Sequence, residues 1–155
     1  MVTILVLSLL IGVVAGLRAM TAPAAAAWAA HLGWLPVAGT PVAFMAHVAA
    51  PWVFSVLALG ELITDQLPKT PSRKVPVQFG TRVVMGVLCG ATVGAAGGMV
   101  LIGGVLGAIG AVIGTLGGAA ARLRLAKGLG RDLPAALIED AVAIGGALAI
   151  VSLAR

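Results

Sequence analysis

The sequence predicts an all-α protein that crosses a membrane as a bundle of helices, in one domain covering residues 1–155. Three observations lead to this prediction. Of the 155 residues 61% are hydrophobic and 10% are charged, with a mean hydropathy of +1.14, whereas a soluble domain has about 25% charged residues. The charges are grouped, with long uncharged stretches between the groups. Glycines recur every four residues, a spacing typical of closely packed membrane helices. This composition excludes a soluble globule and a disordered chain.

The charges mark the ends of the predicted helices. The ten basic and five acidic residues occupy four places: Arg18, a group within 61–82, a group within 122–140, and Arg155. A membrane-spanning helix needs about 20 mainly apolar residues. The uncharged stretches are sufficient for about six such helices. The alternative is five, if residues 1–31 form one tilted helix with Arg18 inside the membrane.

Three helices are predicted before the basic loop at residues 67–82. Residues 1–17 form the first, and the lack of basic residues ahead of its apolar stretch argues against a cleaved signal peptide. Residues 19–35 form a second, alanine-rich helix. Residues 40–66 form the third, with a Thr-Pro pair as N-cap and first helical position. Pro51 either bends this helix or marks its true start.

The uncharged stretch 83–121 predicts a helical hairpin. As one helix it would be about 58 Å long at 1.5 Å per residue, and the hydrocarbon core is only about 30 Å thick. Two helices joined by a tight turn fit better. The turn is expected at Gly97-Gly98 or at Gly103-Gly104, because glycine adopts turn conformations easily.

The last predicted helix covers residues 135–153, with Pro134 in its first turn. The hairpin before it places the basic loops 67–82 and 122–133 on the same side of the membrane. The positive-inside rule makes that side cytoplasmic. Six spans divide into three before the first loop and three after it, which would give two inverted three-helix halves.

The glycine repeat predicts a zipper-like packing of helices. Residues four apart lie on one helical face, so glycines at this spacing allow another backbone to approach closely. Two interpretations are open: the two arms of the hairpin pack on each other, or the glycines form a homo-oligomer interface. The candidates for the second interpretation are Gly86, Gly90, Gly94, Gly98, Gly110, Gly114 and Gly118.

Four acidic residues and one arginine are the candidate binding site for a substrate or ion. Glu61 and Asp65 are four apart and share a helical face, Glu139 and Asp140 lie in the last helix, and Arg18 is a nearby cation. A charge at the bilayer centre costs about 2.5–3.5 kcal/mol, so these groups need partners or a function. They form either structural ion pairs or a polar cavity, open to the cytoplasm, that binds a cation or a proton.

The basic loop offers a second candidate site. Lys69, Thr70, Ser72 and Arg73 are charge-assisted and hydroxyl donors that suit a phosphate or an anionic lipid headgroup. The simpler interpretation is that the loop enforces topology and touches anionic membrane lipids. In both interpretations membrane lipids are expected partners.

The remaining polar residues do not suggest catalysis. His31, His47 and Cys89 are isolated and have no spacing typical of a metal site. No nucleophile and base have the placement that covalent catalysis requires. We therefore expect no enzyme activity, no cofactor, no metal and no nucleic-acid partner.

Three segments carry a family resemblance. They read Gly-Leu-Arg-Ala-Met-Thr-Ala-Pro-Ala at 16–24, Glu-Leu-Ile-Thr-Asp-Gln-Leu-Pro-Lys-Thr-Pro-Ser-Arg at 61–73, and Ala-Leu-Ile-Glu-Asp-Ala-Val-Ala-Ile-Gly at 136–145. Together they resemble a family of small bacterial integral membrane proteins defined as a domain of unknown function. The resemblance covers nearly the whole chain. It implies a location in the bacterial inner membrane and implies no chemistry.

These features favour a small transporter or channel for an ion or small solute. Two alternatives remain open. One is a non-catalytic membrane subunit or assembly factor that packs through its glycine faces. The other is a protein that binds anionic lipids or phosphate headgroups.

Overall fold

A computed structural model describes residues 1–65 and 75–155. In these residues the chain forms six α-helices and one short 3-10 helix, and no strand. The all-α prediction is confirmed. The helices are α1 (Val2–Leu17), α2 (Thr21–His31), α3 (Ala49–Thr64), α4 (Pro76–Ala95), α5 (Val100–Leu129) and α6 (Asp132–Leu153), and the 3-10 helix Ala43–Ala46 precedes α3.

Among the described helices, three are long and apolar enough to cross a membrane: α4 with 20 residues, α5 with 30 and α6 with 22. Helices of this length and composition indicate a membrane protein. α1 and α3 are apolar but have 16 residues each, about 24 Å at 1.5 Å per residue. α2 has only 11 residues. The structure therefore supports three candidate spans, fewer than the six expected from the uncharged stretches.

α4 and α5 form the predicted hairpin. The turn lies at the first of the two expected glycine pairs, with Gly98 in the left-handed region at φ +68. A Cβ atom on Gly90 would lie 2.2 Å from the carbonyl oxygen of Gly103. One turn away, a Cβ atom on Gly107 would lie 2.0 Å from the carbonyl oxygen of Gly86. The two backbones therefore touch, which only glycine permits.

α1 packs on α5 in the same manner. A Cβ atom on Gly12 would lie 2.2 Å from the carbonyl oxygen of Gly107. Gly110 and Gly114 of α5 both face the backbone of Val13. Since the residue numbers rise together along this contact, α1 and α5 run in the same direction.

The glycine repeat thus packs helices of one chain. Gly86, Gly90 and Gly94 face α5. Gly98 lies in the turn and not on the helical face that contacts α5. Gly118 is buried within α5. The interpretation based on the hairpin's own arms is the one that the contacts support. A homo-oligomer stays a prediction, and it would have to use surfaces other than these glycine contacts.

α2 reverses the direction of α1 after a three-residue turn. Arg18 in this turn pairs with Asp140 near the start of α6. Beyond the far end of α2, the guanidinium of Arg155 lies 5.3 Å from the ring centre of Trp34. α2 and α6 therefore run in parallel. The α1–α2 turn, the end of α3 and the start of α6 meet at one end of the bundle, which we call the charged end.

The start of α3 differs from the prediction. The Thr-Pro pair is not an N-cap, because the hydroxyl of Thr40 donates to the carbonyl of Val37 at 2.6 Å. Gly39 just before it has φ +73, which makes this segment a turn. α3 begins at Ala49, and Pro51 lies in its first turn. Of the two roles expected for Pro51, it marks the start of the helix.

Candidate functional site

Arg18 is the centre of the charged end. It follows α1 directly in an extended conformation, and its side chain is 0% exposed. One terminal nitrogen, Nη1, donates to Asp65 at the end of α3. The other, Nη2, forms an ion pair with Asp140 of α6. A single buried guanidinium therefore connects the α1–α2 turn to two other helices.

The pairing around Arg18 is unequal in charge. Asp65 and Asp140 share one guanidinium, and neither has a second cation within ion-pair distance in the described part of the chain. The two carboxylate side chains are 14% and 11% exposed, whereas the guanidinium side chain is fully buried. The negative groups can thus be reached from outside while their positive partner cannot.

Glu61 holds the start of α2. Its two carboxylate oxygens accept hydrogen bonds from the backbone N–H groups of Ala19 and Met20, both at 2.8 Å. These N–H groups precede the helix, at the end where unpaired donors and the positive end of the helix dipole favour an anion. Glu61 is therefore a capping residue supplied by a different helix.

Arg82 holds the end of α1. Its Nη1 donates to the carbonyl oxygens of Gly16 at 3.0 Å and Leu17 at 2.6 Å, where the helix dipole favours a cation. Its Nη2 lies 3.4 Å from a carboxylate oxygen of Glu61. The cation and the anion that cap the two sides of the turn thus also contact each other.

A second cluster lies beside the first. Arg122 near the end of α5 donates to both carboxylate oxygens of Asp132, at 3.0 and 2.6 Å. A third nitrogen of Arg122 lies 3.6 Å from Glu139. This cluster connects α5 to α6 across their short turn.

The predicted acidic site is thus divided between the two clusters. Arg18, Glu61, Asp65 and Asp140 converge, whereas Glu139 pairs with Arg122. This follows from helix geometry, because adjacent residues point about 100° apart on a helix with 3.6 residues per turn. Of the second candidate site, Lys69, Thr70, Ser72 and Arg73 all lie outside the described residues.

The sequence places Arg82 at the end of the basic loop 67–82, as one of the cations near the acidic residues, and the structure shows that it also caps the end of α1. Its position seven residues into α4 was the available signal, because a charge inside an apolar helix usually has a partner in the protein interior. Two of its partners are backbone carbonyls, which no side-chain pattern reveals.

An apolar groove adjoins the charged end. It has a volume of about 310 Å³ and lies between α2, α3 and α6, with Thr21, Trp28, Ser55, Leu59, Leu62 and Ile144 among its lining residues. A smaller groove of about 250 Å³ lies between α5 and α6 and has Arg122 and Glu139 in its wall.

Comparison of the sequence with protein-family models and with curated proteins, and of the fold with solved structures, finds no match. The family resemblance therefore rests on the three sequence motifs alone.

The cap on α2 leads to a testable order of stabilities. Glu61→Ala removes both acceptors and is expected to lower the free energy of unfolding by about 0.5–2 kcal/mol, as the loss of an N-cap does. Glu61→Gln keeps one acceptor and loses the charge, so it should fall between Glu61→Ala and the wild type. Thermal unfolding of the three proteins in the same detergent measures this order. Equal midpoints for all three would contradict the capping role.

Proposed function

We propose that the protein is a small membrane transporter for a cation or small solute, and that Asp65 and Asp140 bind the transported or coupling cation. The observation that carries the proposal is the shared guanidinium of Arg18. One buried positive charge serves two carboxylates from different helices, so a second cation complements the local charge.

The same geometry suggests how binding moves helices. Asp65 belongs to the end of α3 and Asp140 to α6, and in the described part of the chain each forms an ion pair with Arg18 of the α1–α2 turn. Glu61 also holds α3 to this turn, so α6 is the helix that the exchange can release. A cation that binds one carboxylate weakens its attraction to the guanidinium. Because a ligand shifts a conformational equilibrium only through different affinities for the two states, this exchange of partners is the step that couples binding to motion.

Arg82 and Glu61 keep the turn itself fixed during that exchange. They bind the last carbonyls of α1 and the N–H groups before α2. Arg18 therefore stays in place while its partners change.

The helix order agrees with a transporter. α1–α3 and α4–α6 begin in opposite directions, the plan of many secondary transporters built from inverted halves. In this proposal all six helices cross or enter the membrane and the charged end faces the cytoplasm, following the positive-inside rule. The location is the bacterial inner membrane.

The experiment is cation flux into liposomes containing the purified protein, measured for H⁺, Na⁺ and K⁺ with ion-sensitive dyes. Asp65→Asn and Asp140→Asn keep the size of each side chain and remove its charge. Each is expected to reduce flux at least about tenfold, because even the loss of a residue that supports a metal ligand costs about 10–100-fold. Asp132→Asn is the matched control, because Asp132 is also paired with an arginine but is 64% exposed in the neighbouring cluster. It should retain flux.

Two results would contradict the proposal. Normal flux in the double variant Asp65→Asn/Asp140→Asn would show that these two carboxylates do not form the cation site. The absence of flux for H⁺, Na⁺ and K⁺ in well-folded wild-type protein would remove a transporter of these cations and favour the membrane subunit or assembly factor. The lipid-headgroup alternative stays a prediction, since its residues lie outside the described chain.

A further inference from the structure

We propose that the groove between α2, α3 and α6 binds an amphipathic cation, a molecule with an apolar body and one protonated amine. This inference deepens the proposed function by naming the class of solute. Binding itself can be tested without transport.

The lining of the groove suits an apolar ligand body. Aliphatic side chains such as Leu59, Leu62 and Ile144 form most of its wall. Its volume of about 310 Å³ is within the range of small-molecule sites, which are mostly apolar with a few polar groups. At one end the indole N–H of Trp28 donates to the hydroxyl of Ser55 at 3.1 Å, so the indole already has its partner.

Thr21 provides a buried polar group. It lines the groove, is only 8% exposed, and its hydroxyl oxygen has no hydrogen-bond partner among the described residues. Buried hydroxyl groups are nearly always hydrogen-bonded, because an unpaired one costs free energy. A ligand amine in the groove would donate to this oxygen.

The carboxylates lie one helical turn beyond the Thr21 end. Leu62 of the groove wall is three residues before Asp65, and Ile144 is four residues after Asp140. Residues at these spacings share a helical face. The groove and the two carboxylates therefore follow the same faces of α3 and α6, and Thr21 is three residues from Arg18.

The charge selects the ligand class. Two carboxylates share one guanidinium one helical turn beyond this end of the groove. An amine that occupies the Thr21 end finds a negative field, whereas an anionic head group would be repelled. The complementary ligand is therefore a cation with an apolar tail.

The test uses three probes with the same chain: terminally brominated octylammonium, octanol and octanoate. Bromine quenches tryptophan on contact, so the reporter is a Trp34→Phe/Trp52→Phe protein in lipid nanodiscs, which keeps Trp28 alone. We expect saturable quenching by the ammonium probe at a concentration about tenfold lower than by the alcohol, the gain typical of one charge-assisted hydrogen bond. The carboxylate probe should give only the linear quenching of membrane partitioning.

Two variants keep the test specific. Ala24 lines the groove and is partly exposed, so Ala24→Leu fills the groove and should abolish saturable quenching. Ala149→Leu makes the same substitution at an exposed position of α6 and should leave it intact. Asp65→Asn should remove the preference for ammonium over alcohol.

Linear quenching by all three probes would overturn the site. Saturable quenching of equal strength by all three would overturn the choice of a cation. Saturable, ammonium-selective binding in a protein without flux would contradict the proposed function and support this inference. Flux without such binding would support the proposed function and contradict this inference.

Discussion

Replacing Arg18 by methionine should leave little folded protein. The substitution keeps most of the side-chain volume but leaves Asp65 and Asp140 near each other without their shared cation. Breaking a buried ion pair by removing one partner costs about 3–5 kcal/mol, a large part of the 5–15 kcal/mol that stabilises a typical domain. Size-exclusion chromatography and thermal unfolding in detergent measure the loss.

Two further variants show whether charge is the cause. Arg124→Met removes an exposed arginine of α5 and should change stability by less than about 0.5 kcal/mol. The triple variant Arg18→Met/Asp65→Asn/Asp140→Asn removes both uncompensated charges and should recover much of the lost stability. If the triple variant were as unstable as Arg18→Met, the role assigned to the charge network would be wrong.

The sequence identifies the residues of this charge network better than it identifies which of them pair with each other. Membrane energetics singled out Arg18, Glu61, Asp65 and Asp140 because isolated charges in apolar stretches are costly. The structure brings these four together. Their pairing depends on how the helices rotate and pack, and the sequence of a single helix does not contain that information.

Helix lengths were predicted less well, for a related reason. Residues 32–48 are nearly uncharged, and composition does not distinguish an apolar loop from an apolar helix. Gly33 and Gly39 both adopt positive φ, and these turns end α2 early and delay α3 to Ala49. Within residues 83–121 a glycine turn is predicted, at 97–98 or at 103–104, because the length of the uncharged stretch requires a reversal. No such length argument applied to residues 32–48.

Substituting one glycine of α5 should destabilise the protein as strongly as the loss of a buried side chain. Gly107 lies between two helices: a Cβ atom on it would be 2.0 Å from the carbonyl oxygen of Gly86 in α4, and the Cβ position of Gly12 in α1 is already 2.2 Å from the Gly107 oxygen. Gly107→Ala therefore forces backbones apart. Since ordinary overpacking costs about 1–3 kcal/mol, we expect about 3 kcal/mol for this contact between backbones.

Gly117→Ala in the same helix is the matched control. In the described part of the chain no atom lies within 4 Å of its Cβ position, and alanine is favoured over glycine in a helix by about 1 kcal/mol. Its unfolding midpoint should therefore rise slightly while that of Gly107→Ala falls.

The opposite signs separate the two interpretations of the glycine repeat. If the glycines held a second copy of the chain, Gly107→Ala would dissociate an oligomer, visible by light scattering, and would leave the unfolding of the monomer unchanged. A fall in monomer stability shows instead that the glycines hold α1, α4 and α5 together within one chain.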